Sequence, residues 1–217
     1  MLTSIKRSAI ATSEALLLLA LAGCAGNGGY DPDRLAAAAR LLDAIGVEKI
    51  IAEVAPTFAT QFKVELRREH PGQTAAIEEI VDGYLVPEMV LQAPDLSREL
   101  AWHLASNLTD EEISVAVDFL TTPTGRNIAT KLRRQAVETA LLDDDTAEPP
   151  LDFARDELEA IEAFASMPAA RRLADKLEAL GDEAEEIGER WGQRVADAAF
   201  RKAAPLLEQY YFRTLEI

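Results

Sequence analysis

Cysteine occurs once in this chain of 217 residues, at Cys24. That excludes an intrachain disulfide and any CxxC metal or redox pair. Histidine occurs twice, at His70 and His103, and no HExxH, GxSxG, P-loop or GxGxxG motif is present, so the common enzyme signatures are missing. Positive charge is scarce: 22 Lys+Arg stand against 38 Asp+Glu, a formal net charge of −16. A phosphate-binding protein needs a basic face that releases counterions, so nucleic acid is not an expected partner. No segment shows sustained two-residue alternation with β-branched enrichment, so no strand is expected. What remains is 48% hydrophobic residues dominated by alanine, leucine and glutamate. This is a folded composition of strong helix formers, and the expected class is all-α, helical hairpins packed as a bundle or short array.

The first residues read as an address. Lys6 and Arg7 precede an apolar run from Ala15 to Ala22, the n-region and h-region of an export signal. Eight apolar residues fall far short of the about 20 that cross a bilayer as a helix. Leu21-Ala22-Gly23-Cys24 resembles the bacterial lipobox, in which the thiol after the cut receives a diacylglyceryl group. The expectation is a lipoprotein signal peptide over 1–23, lipidation of Cys24, and a short tether over 24–30. Ala25, where aspartate would signal inner-membrane retention, points to the outer membrane with the body facing the periplasm. Cleavage removes two positive charges and one negative, taking the net charge to −17.

Beyond the tether the chain reads helical. Asp31-Pro32 is an N-cap and N1 pair, and Gly46 ends the first helix. The next helix starts near Val47, with a kink or break expected at Pro56. Apolar stripes follow around 74–90 and 96–106, punctuated by Pro71-Gly72, Pro87 and Pro94. Over 108–132 the signals are dense. Thr109 and Glu112 form a capping box, and Leu108 with Ile113 a hydrophobic staple. Ile113, Ala116, Val117 and Leu120 make the first apolar face. Thr122-Pro123 restarts a helix whose stripe is Ile128, Leu132, Ala136 and Ala140.

Forty-five residues on, the hairpin recurs. Glu112, Phe119, Pro123, Arg126, Ala129, Lys131 and Leu132 match Glu157, Phe164, Pro168, Arg171, Ala174, Lys176 and Leu177. The staple recurs as Phe153 with Leu158, Thr109 becomes Ala154, and Gly125 becomes Ala170. A glycine replaceable by alanine serves close approach rather than positive φ. The organisation expected is therefore a helical region over 31–142 with the first hairpin, an acidic Pro-rich connector over 143–150, and over 151–217 the second hairpin and a long C-terminal helix. On that last helix Leu173, Leu177, Leu180, Ala184, Ile187 and Trp191 repeat in steps of four and three, as a core-facing stripe rather than an oligomer seam. Pro205 should kink or end it before Tyr210-Tyr211-Phe212.

The motif Thr109-Asp110-Glu111-Glu112-Ile113, Phe119, Thr122-Pro123-Thr124-Gly125-Arg126 resembles the bacterial domain of unknown function 2059 family. Leu41 to Lys49 is similar to that family's helix-glycine-helix opening. Leu120 departs from the aromatic that often follows the phenylalanine there, and the second copy lacks the threonine cap and the glycine. The resemblance implies an exported all-α envelope protein and carries no activity.

Candidate chemistry is sparse. Glu99 and His103 share a helix face at a spacing that would suit a metal, but a partly buried, hydrogen-bonded histidine is the expectation. Asp143–Asp145 lacks the spaced loop of a calcium site. Arg126, Arg133 and Arg134 fall on one face and are expected in surface ion pairs, with Arg171 and Asp175 as a parallel case. Trp102 and Trp191 are expected in the core, and Tyr210-Tyr211-Phe212 with Leu215 as the exposed apolar contact. No catalytic residue, metal or cofactor is assigned; the remaining serines and histidines carry no signature of hydrolysis. The function expected is a non-enzymatic, periplasm-facing lipoprotein, a helical interaction or envelope-maintenance module with an envelope protein as partner. The alternative is a carrier of a small apolar ligand in a cavity between the two hairpins.

Overall fold

The side chain of Asp31 accepts from the backbone N–H of Asp33 and Arg34 at 3.0 and 3.3 Å, and with Pro32 behind it starts helix α1, Pro32–Ile45. Gly46 ends it at φ +88, the left-handed conformation glycine adopts at least cost. Its N–H bonds to Leu42 O at 2.8 Å and its carbonyl accepts Ile50 N at 3.0 Å, so one residue joins α1 to α2, Val47–Glu69. After α3, Thr74–Ile80, the chain widens into a π-turn over Val81–Leu85 and continues as α4, Val86–Asn107. Then come α5, Asp110–Thr121; α6, Pro123–Thr139; α7, Arg155–Ser166; and α8, Pro168–Leu215. These elements belong to a computed structural model that describes residues 31–139 and 151–215. Among the described residues there is no strand, and none of the helices is long and apolar enough to cross a membrane. The segments 1–23 and 24–30, Cys24, Ala140 and the connector 143–150 lie outside the described residues.

Helix α4 is the central element, packed on α1, α2 and α8. Met89, Ala93, Leu96, Leu100 and Leu104 line its buried side. Ala38 of α1, Ala55 and Ala59 of α2 and Ala101 of α4 are buried too, and small residues let helix backbones approach. Leu180, Ala184, Ile187 and Trp191 of α8 join this core, and the stripe runs on through Val195, Ala199 and Ala203. The core-facing assignment of that helix is therefore correct. Trp191 donates its indole N–H to Gln92 O at 2.9 Å, which locks α8 to α4.

Three prolines act differently from expectation. Pro56 lies inside α2, Pro94 inside α4 and Pro205 inside α8, and each helix continues through. All three face solvent, where water can serve the carbonyl that each proline leaves without its N–H partner. Pro87 has a local effect instead. It offers no N–H to the preceding turn, and just before it the ladder widens so that Val86 N–H bonds to Val81 O, five residues back.

Replacing Gly46 with alanine should destabilise the protein by about 1–2 kcal/mol, because alanine is strained at this φ. Its methyl would also meet the Arg133 guanidinium, 2.6 Å from the added carbon, but that flexible side chain can withdraw. Urea denaturation of Gly46→Ala beside Gly72→Ala, where an added methyl meets nothing within 4 Å, separates strain from a generic glycine effect.

Candidate functional site: two interlocked hairpins and an exposed helix face

Thr109 N–H donates to Glu112 Oε2 at 2.8 Å, and Glu112 N–H donates to Thr109 Oγ1 at 3.3 Å, completing the expected capping box. Leu108 and Ile113 are both buried, as a staple requires. Glu112 itself is only 1% exposed, and a carboxylate so placed needs a counter-charge. It comes from the other hairpin: Lys176 Nζ donates to Glu112 Oε2 at 2.6 Å and to Asn107 O at 3.2 Å. Arg172 adds a bond to Glu111 at 2.5 Å.

The second hairpin repeats this geometry with the roles exchanged. Lys131 Nζ donates to Glu157 Oε2 at 2.5 Å and to Asp152 O at 2.9 Å. Each donor and each acceptor stands 45 positions from its counterpart. Phe119 and Phe164, also 45 apart, stack at 4.5 Å with 23° between ring planes. The lysine of each hairpin thus holds the buried glutamate of the other, and the phenylalanines meet in between. Sequence matching paired lysine with lysine and glutamate with glutamate. The usable signal for the cross-pairing is that each hairpin carries one acid and one lysine at matching positions.

The two hairpins differ in detail. Ala154 has no hydroxyl, so only the reciprocal half of its cap remains, Ala154 N–H to Glu157 Oε2 at 2.7 Å. The staple expected from Phe153 and Leu158 does not close: Leu158 is 46% exposed. Phe153 lies under the Lys131 ammonium instead, 5.8 Å from the ring centre. At the first elbow Thr122 Oγ1 donates to Phe119 O at 2.7 Å and accepts from Gly125 N–H at 2.9 Å. This draws the backbone so close that a methyl on Gly125 would lie 1.9 Å from the Phe119 carbonyl oxygen. Gly125 serves close approach, as expected, but to the end of its own preceding helix. At the second elbow Met167 cannot make that bridge, ψ is 134 against 158 at Thr122, and Ala170 fits.

Of Arg126, Arg133, Arg134 and Arg171, only Arg134 enters an ion pair with a described residue, Glu138 at 2.8 Å. Arg126 is exposed, and Arg133 lies over Gly46. Arg171 bonds Ala165 O at 3.2 Å rather than Asp175, because the end of α7 offers it an open carbonyl. Pro123 and Pro168 each begin a helix, as expected.

His103 is buried between α4 and α8. Its Nδ1 lies 3.5 Å from both the Asn107 amide nitrogen and Glu183 Oε2, while its Nε2 has no hydrogen-bond partner among the described residues. Burial holds its pKa below the ordinary 6.5, against the opposing pull of Glu183. Glu99 points elsewhere, to Arg194, and among the described residues no three His, Cys, Asp or Glu side chains gather as a metal site. Ser106, Ser114 and Ser166 donate to Trp102 O, Asp118 and Ala163 O, not to a histidine.

Trp102 overturns its assignment. It is 59% exposed, because it lies two positions past Leu100, about 200° around the helix from the buried stripe. Leu91, 67% exposed, stands eleven residues before it on the same face of α4. Beside them runs a groove of ≈ 370 Å³, lined by Pro32, Leu35, Ala36 and Ala39 of α1 and by Pro94 and Ala101 of α4. In the tail, Tyr210 is half-buried and donates to Glu79 at 3.2 Å; the side chains of Tyr211, Phe212 and Leu215 lie outside the described residues.

Glu88 completes the set of buried carboxylates, held by Lys202 and by Gln92 Nε2 at 2.7 Å. Bonds from Lys202 and Gln92 hold its pKa below the ordinary value, and those from Lys131 and the Ala154 N–H do the same for Glu157. For Glu112, burial pushes upward, but Lys176 and the two Thr109 bonds outweigh it. All three contribute stability above about pH 4.5 that is lost as pH falls through their lowered native values. His103 adds an earlier loss: the unfolded ring takes a proton near 6.5 while the native ring resists, so stability falls from there downward. Urea midpoints measured across pH should show both phases. His103→Gln should remove the upper phase alone. Glu112→Gln should weaken the lower phase and cost about 2 kcal/mol at neutral pH. Compared with protein-family models, curated proteins and solved structures, the chain matches none.

Proposed function

We propose that this chain is a non-enzymatic helical interaction module of the bacterial cell envelope, anchored by a lipid on Cys24 and facing the periplasm from the outer membrane. The observation that carries the reading is the exposed face of α4. A tryptophan presented to water on a helix that is itself locked to α1, α2 and α8 is costly to display without a partner. Buried tryptophans also dominate the energetics of protein interfaces. Leu91 extends the face and the groove beside it supplies relief.

The lipobox-like sequence before Cys24 supports the anchor, and the seven residues Cys24–Tyr30 before Asp31 reach at most about 25 Å. The body is thus kept beside the membrane surface. The resemblance of the hairpin to the exported domain of unknown function 2059 family points the same way. Duplication of one hairpin is the simplest origin for the matched bonds at 45-residue spacing. The carrier reading is the weaker one: Phe119 and Phe164, which would line a cavity between the hairpins, stack on each other.

Cys24→Ala should release the protein from the membrane fraction and remove the diacylglyceryl mass from its N-terminal peptide; unchanged fractionation contradicts the anchor. For the face, a photo-crosslinking residue at Leu91 should yield a discrete adduct with an envelope protein in cells. Trp102→Ala should abolish that adduct, and the same crosslinker at the exposed Glu189 should give none. Adducts insensitive to Trp102 would refute the docking role.

A further inference from the structure

Two incompatible neighbours meet one nitrogen of the buried His103 ring. Nδ1 lies 3.5 Å from the Asn107 amide nitrogen and 3.5 Å from Glu183 Oε2. The same amide nitrogen donates to the His103 carbonyl at 2.8 Å, which fixes it as a donor. An amide donor suits an Nδ1 that carries no proton, and a carboxylate suits one that does. Only one of them is satisfied at a time. While Asn107 is, the neutral ring keeps its proton on Nε2, which is buried without a hydrogen-bond partner among the described residues. Glu183 is half-exposed and has no other ion pair among the described residues, so it is free to take the bond.

The other charges near the ring are engaged. Arg190 of α8 pairs with Glu186 at 3.5 Å, and Glu99, one turn earlier on α4, pairs with Arg194. Lys176 of α8 stands at the Asn107 carbonyl, 3.2 Å away, and the same ammonium bonds Glu112 Oε2 at 2.6 Å. Asn107 is the last residue of α4, and its side chain clasps the final turn by bonding back to the His103 carbonyl. A change at the ring therefore reaches the point where α4, α5 and α8 are tied together.

We propose that His103, Asn107 and Glu183 form a proton-operated latch, in which a proton on Nδ1 moves that nitrogen from the Asn107 amide to the Glu183 carboxylate and loosens the end of α4 from Lys176. The proton comes from solvent and adds to the bare Nδ1. Nδ1–H then donates to Glu183 Oε2, and the Asn107 amide, now facing a second donor, turns away. The final turn of α4 loses its clasp, Lys176 is left with Glu112, and the first turn of α5 opens more readily. Burial favours the neutral ring, Glu183 opposes burial and Arg190 acts with it, so the latch is closed at neutral pH and opens as pH falls below the ordinary 6.5. The proposal involves neither Cys24 nor Trp102 and stands whether or not the proposed anchor and docking face do.

The test is imidazole nitrogen NMR with hydrogen exchange on the full chain carrying Cys24→Ser, followed from neutral pH to about pH 5. At neutral pH the ring should carry its proton on Nε2. As the ring titrates, exchange at the Glu112 and Ile113 amides, corrected for the intrinsic effect of pH, should rise about threefold or more. The Trp191 indole N–H, bonded to Gln92 O on the other part of α4, should keep its rate. Glu183→Gln, at a half-exposed position that leaves the fold intact, should move the ring's titration and the rise in exchange together to lower pH. His103→Gln should abolish the rise. A neutral ring protonated on Nδ1, or exchange at Glu112 and Ile113 that stays flat through the ring's titration, would overturn the proposal. So would a rise shared equally by Trp191, which marks global destabilisation, a rise that persists in His103→Gln, or a Glu183→Gln ring that titrates like the parent's.

Discussion

A carboxylate withdrawn from water must find donors and a counter-charge, and Glu112 and Glu157 find both only when the two hairpins lie together. Each glutamate does two jobs at once. It closes the open N–H groups at the start of its own helix, and it receives the lysine that arrives from the other hairpin. Helix initiation and tertiary docking therefore share the same oxygen atom: Oε2 of Glu112 accepts both Thr109 N–H and Lys176, and Oε2 of Glu157 accepts both Ala154 N–H and Lys131. Breaking either pair strands a buried charge and frays a helix start together. The phenylalanine stack, made by two partly buried residues, packs between them.

This coupling sets how the rest of the molecule is held. Asn107, at the end of α4, gives its carbonyl to Lys176 and its side-chain amide to the His103 carbonyl. The central helix is thereby tied to the same lysine that secures Glu112. On the far side Trp191 and Lys202 fasten α8 to α4. These contacts fasten the helix that bears Leu91 and Trp102, and a fastened helix has little entropy to lose on docking.

The local instructions were legible in the sequence. Asp31-Pro32, Gly46, Thr109 with Glu112, and Thr122-Pro123 each specify a start or a stop within four residues, and each forms as read. The stripe ending at Trp191 was legible because its period survives over five turns. Proline was misleading, since the effect of Pro56, Pro94 and Pro205 depends on whether water can reach the freed carbonyl, and that is a property of the packed protein. Trp102 was misplaced because its neighbours in sequence are core leucines while its angle around the helix is opposite theirs. The exchange of lysines between hairpins spans 26 and 64 residues. No pattern within either hairpin states it, although the matched acid and base in both hairpins hold the necessary parts.

The most direct measurement is a double-mutant cycle on Glu112 and Lys176, using Glu112→Gln, Lys176→Met and the double variant, with free energies from urea denaturation at neutral pH. If the hairpins are held by this pair, the two losses are not additive, and the coupling is about 1–2 kcal/mol, moderated by the partial exposure of Lys176. Additive losses, with a coupling indistinguishable from zero, would show that this contact is incidental and that the hairpins are held by their other contacts.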